Sequence, residues 1–155
     1  MYNKWIYEGK EFDDDLPETA IGFMYCITNL LDGKRYIGKK LLTKASTKQV
    51  EGKKIKIRVE SNWKYYYSSS AYINELLAVH GQRIFKREIL IFAKTKGELN
   101  YFEESCQYKL GVLENDNWMN GNIRSRIFKK HVLKYDFETL NGVIASFDKR
   151  ILLFN

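Results

Sequence analysis

Between residues 22 and 40, apolar side chains cluster in two short runs, FMYCIT and RYIG, separated by Asp32-Gly33. Short β-rich runs flanking an Asp-Gly pair predict an antiparallel hairpin over roughly residues 22 to 40. Further on, Ile55, Ile57 and Val59 alternate with Lys56 and Arg58, the period of a half-buried strand with one basic face. Ser69 or Ser70 can cap a helix through AYINELLAVH that stops at Gly81, and IFKREILIFA reads as another strand. Thr95 and Glu98 are spaced as a capping box for a longer helix from about Lys96 to Leu113. The segment ENDNWMNGNIRS is a polar loop, and the chain then mixes a basic stretch with two strand-like runs around Asn141-Gly142.

These elements predict an α/β (α+β) domain: a small central antiparallel sheet of about three core strands, flanked by helices. Residues 1–21 contain the acidic run at Asp13 to Asp15 and the only proline, Pro17, and read as an arm. Residues 22–122 form the domain, with an insertion at about 45–65, and residues 123–155 form a C-terminal extension.

On a two-residue turn at Asp32-Gly33, Tyr25 faces Lys40, Ile27 faces Gly38 and Asn29 faces Tyr36. Tyr25, Tyr36 and Lys40 then project from one face, beside a glycine that leaves room for a ligand. A one-residue bulge in the hairpin would send the tyrosines to opposite faces. On the long helix Leu99, Phe102, Cys106, Leu110 and Leu113 make an apolar stripe. Glu103 falls within its edge, whereas Glu104 points away. A carboxylate partly out of water needs a counter-charge, a hydrogen-bond partner or a metal ion, so Glu103 is a salt-bridge residue or a metal ligand.

Composition narrows the partner. The 155 residues carry a formal charge of +7, with eleven Tyr and nine Phe as surfaces on which bases or sugars can rest. Nucleic acid fits better than a membrane surface, since no apolar run approaches the length of a membrane span and the N-terminus lacks a signal-like core. The expected location is the cytoplasm, that of a host if the chain is viral. Two cysteines without metal-ligand spacing make neither a disulfide framework nor a zinc site. Lys54, Lys56 and Arg58 can follow a DNA backbone or simply solvate a strand.

Taken together, Phe23-Met24-Tyr25 with Tyr25-x-Ile27-x-Asn29, then Tyr36-Ile37-Gly38 eleven residues on, resemble the paired motifs of the GIY-YIG nucleases. FKREIL resembles the family's third strand, YFEESCQ its glutamate-bearing helix, and NWMNGN the loop where many members carry an asparagine, here Asn120. Tyr66-Tyr67-Ser68-Ser69 is similar to a stretch of phage-type, homing-endonuclease-like members. The resemblance implies a DNA endonuclease that uses one divalent cation, Mg²⁺ with Mn²⁺ as a substitute, to hydrolyse phosphodiesters. Tyr25 would be the general base, Tyr36 would orient water or phosphate, and Glu103 would hold the metal. An arginine expected about ten residues after Tyr36 is missing, since Ser46 stands there. Lys39, Lys40, Lys64 or Arg87 would have to supply that cation, and Arg87, on the Phe85 and Ile89 side of its strand, is either a phosphate clamp or an ion-pair partner. Open alternatives are a catalytically weak DNA-binding protein of the same fold and a protein-interaction module. A homodimer is one way to gain DNA specificity.

Overall fold

The computed structural model describes residues 2–124, 126–132, 141–143 and 145. Chain order is β1 (Ile6–Tyr7), β2 (Lys10–Glu11), β3 (Gly22–Asn29), β4 (Arg35–Leu41), β5 (Thr43–Val50), β6 (Lys53–Glu60), α1 (Ala71–His80), β7 (Phe85–Ala93), α2 (Lys96–Lys109), β8 (Asn122–Ile123), β9 (Ile127–Phe128) and α3 (Lys129–Val132). The expected antiparallel core is present as β7-β3-β4, and the sheet continues to five strands in the order β2-β1-β7-β3-β4.

The N-terminal residues are therefore part of the sheet rather than a loose arm. β1 runs parallel to β7, pairing Ile6 with Glu88, and Trp5 is buried. Trp5 Nε1 donates to the carbonyl of Trp63 at 2.9 Å, which ties the N-terminus to the far end of the chain's first half.

The β3-β4 hairpin closes through a loop longer than the two-residue turn. The Asn29 N–H donates to Lys34 O at 2.8 Å and that of Gly33 to Asn29 O at 2.8 Å, leaving residues 30–33 as the loop. Asn29 Oδ1 accepts from the Leu31 N–H at 3.0 Å, an Asx turn that fixes this longer connection. The register consequently moves by two residues: Tyr25 faces Gly38, Ile27 faces Tyr36 and Phe23 faces Lys40. A shift of two preserves sidedness, so Tyr25 and Tyr36 still share a face. The sheet has a bulge, but on the other side of β3, between Met24 and Tyr25 in the pairing with β7.

Each face of the sheet has its own core. One holds Phe23, Tyr25, Ile27, Phe85 and Ile89 under Trp5, Trp63, Tyr67 and Ile73 of α1. The other packs Met24, Cys26 and Ile37 against Val112, Leu113 and Ile123, with Phe102 and Cys106 of α2 alongside. Both long helices start where the sequence placed them. Ser70 Oγ accepts from Ile73 N at 3.5 Å and Thr95 Oγ1 from Glu98 N at 3.0 Å. α2 stops at Lys109, short of Leu113: Gly111 takes φ +60°, Leu110 turns outward and Val112 and Leu113 are buried instead.

The 45–65 insertion is a ribbon: β5 and β6 pair only with each other, through a turn in which Glu51 and Gly52 both have positive φ. Ile57 and Val59 are half-buried and alternate with exposed Lys56 and Arg58 as the pattern predicts, whereas Ile55 nearer the turn is 42% exposed. Residues 141–143 are helical, in place of the turn expected at Asn141-Gly142; the strand-like runs on either side lie outside the described residues. Among the described residues, no helix is long and apolar enough to cross a membrane.

Candidate active site

β4 is the last strand of the sheet, and its outward-facing backbone groups are met one after another. At the start of the strand, Arg35 N donates to Asn117 O at 3.1 Å and Met119 N donates to Arg35 O at 2.6 Å. Next, Asn120 grips Ile37 at both ends: its Oδ1 accepts from the Ile37 N–H at 3.0 Å and its Nδ2 donates to Ile37 O at 2.9 Å. Gln107 Nε2 from α2 donates a second bond to the same carbonyl at 3.1 Å. Asn120 is buried, so it acts as a substitute strand partner and positions β4 rather than entering solvent. Beyond Ile37 the edge opens onto a cleft of about 530 Å³.

Two tyrosines enter this cleft from one face of the sheet. The Tyr25 and Tyr36 rings lie 6.3 Å apart at 26°, and Tyr66 meets Tyr25 edge-on at 6.1 Å. Gly38, which the sequence reading left open for a ligand, is the floor under the Tyr25 ring. A Cβ there would fall within 2.9 Å of Tyr36 Cε1 and closer still to Tyr25. Burial pushes the Tyr25 hydroxyl well above the ordinary phenol range, helped by Tyr36 and Tyr66, while a hydrogen bond to Ser68 pulls it back. Tyr36 is raised for the same first reason, with Ser68 and Ser69 opposing and Glu103 reinforcing.

Glu103 arrives from α2 on the opposite face, so the two halves of the cleft meet around the sheet edge. Its side chain is 17% exposed and its Oε1 lies 3.4 Å from Lys39 Nζ. Burial raises its carboxyl above the usual range, and the Lys39 ammonium and backbone N–H draw it partly back. Glu104 does not point away as the helical wheel indicates: it lines the same cleft and pairs with Arg124 Nε at 2.7 Å. Arg124 stands in the β8-β9 turn with φ 57°.

The remaining sequence-predicted residues divide plainly. Lys39 is in the cleft, donating also to Asn100 Oδ1. Lys40 faces Phe23 rather than Tyr25; it lies 4.0 Å from the Tyr66 ring centroid and donates to Asn62 Oδ1 at 2.7 Å, so its influence reaches Tyr25 only through Tyr66. Lys64 is drawn away to Asp14, 3.2 Å, and Glu60, 3.8 Å. Lys54, Lys56 and Arg58 are on the exposed ribbon.

Arg87 does sit on the buried side with Phe85 and Ile89, but it does not reach the cleft. Its Nη1 donates to the carbonyls of Lys64, 3.1 Å, and Tyr66, 2.8 Å, and its Nη2 to that of Asn3. The guanidinium is sandwiched between Trp5, 4.5 Å, and Tyr67, 4.4 Å. It is a cation caged by carbonyls and rings, neither a phosphate clamp nor half of a salt bridge.

Sequence reasoning missed Glu104, Arg124 and Gln107 as cleft residues. Gln107 follows the Glu103 turn of α2 at i+4, which is the signal that could have found it. Arg124 had none, because the β8-β9 turn carries it back over α2 only in three dimensions.

Comparison with known proteins agrees with this architecture. No curated protein and no solved structure matches the chain. A family model described as "Putative endonuclease segE, GIY-YIG domain" matches residues 5–123, from the residue before β1 to the end of β8. That span holds both tyrosine-bearing strands, the glutamate helix and the asparagine that braces the sheet edge, and the chain belongs to the GIY-YIG endonuclease family.

Proposed function

We propose that the protein is a divalent-metal-dependent DNA endonuclease whose reaction takes place in the cleft at the β4 edge. The observation that carries this reading is the convergence there of two phenols, a desolvated carboxylate and two cations, Lys39 and Arg124. The donor set fits a hard divalent cation. Among the described residues no cluster of three or more His, Cys, Asp or Glu forms a protein cage. Glu103 and Glu104 line the cleft beside hydroxyl and amide oxygens, and Mg²⁺ is usually held by one or two carboxylates, waters and substrate phosphates. Glu103, with its raised carboxyl and a single ion pair, is the natural holder.

When bound, the cation would neutralise charge developing on the phosphate and on the leaving oxygen. The chain's own groups would do the rest. Lys39, freed from Glu103, and Arg124, freed from Glu104, would turn to non-bridging phosphate oxygens and fill the role for which Ser46 offers nothing. Tyr36, bonded to Ser68 and Ser69, would orient the phosphate or the attacking water. Tyr25 would first lose its own hydroxyl proton to solvent and then, as the phenolate, would take the water's proton at its oxygen. Since burial opposes its phenolate, that transfer needs the positive charge assembled with the substrate. The stretch Tyr66 to Ser69 resembles phage-type members and supports a viral or mobile-element nuclease.

Nicking of supercoiled plasmid in Mg²⁺ or Mn²⁺ tests the proposal. Cutting by the parent that disappears in EDTA, in Glu103→Ala and in Tyr25→Phe is expected. DNA binding without cutting in either metal would leave a DNA-binding protein of the nuclease fold.

A further inference from the structure

The β5-β6 ribbon carries most of the molecule's excess charge. Residues 43–60 contain six Lys or Arg against two Glu, a net +4 of the chain's +7, although they are about an eighth of its length. Cross-strand pairing divides the ribbon into two faces. One presents Val50, Ile55, Ile57 and Val59 among lysines. The other presents Lys54, Lys56 and Arg58 opposite Gln49, Thr47 and Ala45, its acids confined to Glu51 in the tip turn and Glu60 at the ribbon's root. Cations at every second residue on one strand sit about 6.7 Å apart and repel, and an isolated two-stranded hairpin is only marginally stable in water. This arrangement is unfavourable in the free protein and favourable against a polyanion.

The ribbon also connects to the cleft. A second concave surface of about 450 Å³ lies between them, lined by Lys39, Lys40, Lys44, Arg58 and Lys96 with no acidic residue. Lys39 and Tyr66 line both depressions, so the cleft of the tyrosines adjoins the basic surface that leads to the ribbon's root.

We propose that the ribbon is the DNA-recognition arm, lying in the major groove of duplex DNA with its Lys54, Lys56 and Arg58 face toward the groove. The inference rests on the endonuclease reading and names how that site holds its substrate. A major groove is wide enough for a two-stranded ribbon, and eight residues of strand, about 26 Å, cover roughly eight base pairs. The lysines and Arg58 contact phosphates and guanine edges. Gln49 and Thr47, between them on the same face, are the types of side chain that read adenine edges and thymine methyls.

Binding to duplex DNA is measured in the uncut background Glu103→Gln, so the outcome does not depend on catalysis. Removing three phosphate contacts in Lys54→Ala/Lys56→Ala/Arg58→Ala should reduce the slope of log K against log salt by about 2.7 and weaken binding at 0.1 M salt by on the order of 100-fold or more. Thr47→Ala/Gln49→Ala should leave that slope in place and broaden the sequences enriched from a random duplex pool. A major-groove ligand such as methyl green should displace the protein, and a minor-groove ligand such as netropsin should not. A ribbon shortened by replacing residues 44–59 with Asn-Gly, which keeps Thr43 opposite Glu60, should reproduce the triple variant's loss with the domain's melting transition intact.

Parental affinity and slope in the triple variant and in the shortened ribbon would overturn the proposal, as would displacement by netropsin alone or no duplex binding at all. A parent that binds through the ribbon yet never cuts would instead defeat the nuclease reading and leave this one standing.

Discussion

Replacing Arg87 by methionine tests whether this buried cation is scaffold or chemistry. Its side chain is inaccessible to solvent, and burial lowers the guanidinium to about 10, so it is still charged at neutral pH. Three carbonyls, of Asn3, Lys64 and Tyr66, point at it, and no carboxylate among the described residues is paired with it. Methionine fills much of the slot between Trp5 and Tyr67 but donates to none of those carbonyls. Each buried acceptor left without a donor costs about 1–3 kcal/mol, and removing the cation from two ring faces costs about 2 kcal/mol more. Relief from desolving a charge returns several kcal/mol. The net expected loss is about 3–5 kcal/mol, or roughly 6–20 °C in Tm at about 2–4 °C per kcal/mol for a chain of this size. Thermal melts followed by circular dichroism measure it, alongside DNA binding well below the transition. A phosphate clamp would behave oppositely. If Arg87→Met melts within about 2 °C of the parent while DNA affinity or cutting collapses, the caged-cation account is wrong.

Glu103→Gln should abolish cutting and raise Tm. Burial raises the Glu103 carboxyl, so the folded state binds its proton more tightly than the unfolded chain does; the ionised form destabilises the fold at neutral pH and the penalty fades as pH falls. A metal-free melt of the amide variant should show a gain of about 0.5–2 kcal/mol at pH 7 that disappears near pH 4, and a lower Tm at pH 7 would contradict the assignment. Tyr25 is raised well above the ordinary phenol range, so as the base it should give single-turnover cleavage climbing about tenfold per pH unit from pH 6 to 9. Tyr25→Phe should be inactive throughout, and a flat profile in the parent would remove the phenol from the proton transfer. Asn120→Ala strips the Ile37 N–H of its partner inside the core and should cost about 1–3 kcal/mol in urea melts, with cutting reduced in proportion to the disturbed edge. Asn120→Asp keeps the acceptor for Ile37 N–H but turns a second carboxylate oxygen toward Ile37 O inside the core, and should recover little of that loss.

How the sequence encodes this site explains which parts of it could be read directly. A strand's side chains repeat every two residues, so the tyrosines' shared face survived an error of two in the hairpin register. What did not survive was any inference that depended on the direct partner: Lys40 left Tyr25 for Phe23, and Gly38 became the seat of a ring. Arg87 shows the same limit in a different form. Alternation correctly turned it inward, but the carbonyls that hold it come from Asn3 and from the Lys64 to Tyr66 turn, segments 84 and 21 to 23 residues away. The parallel pairing of β1 with β7 is equally non-local, and Pro17 with its acidic neighbours disguised the strand that precedes them.

The location of Glu103 follows from the edge itself. The outward backbone groups of β4 need partners at Arg35, Ile37 and Lys39, and they receive the 117–119 segment, then Asn120 with Gln107, then Glu103. The first two stops offer only neutral groups, with Met119, Asn120 and Gln107 buried, which makes them braces. The third is a charged carboxylate that the edge attracts through the Lys39 amide and ammonium but does not fully neutralise, since its carboxyl stays raised. An edge strand completed by structural groups along one half and by a carboxylate along the other holds Glu103 in the cleft beside Tyr36 through Lys39 alone. Lys39→Met should therefore raise the Glu103 carboxyl further and make cutting demand more metal and higher pH. If Lys39→Met instead shows the parent's metal requirement and pH profile, Glu103 is not held by this edge and the brace argument ends at Asn120.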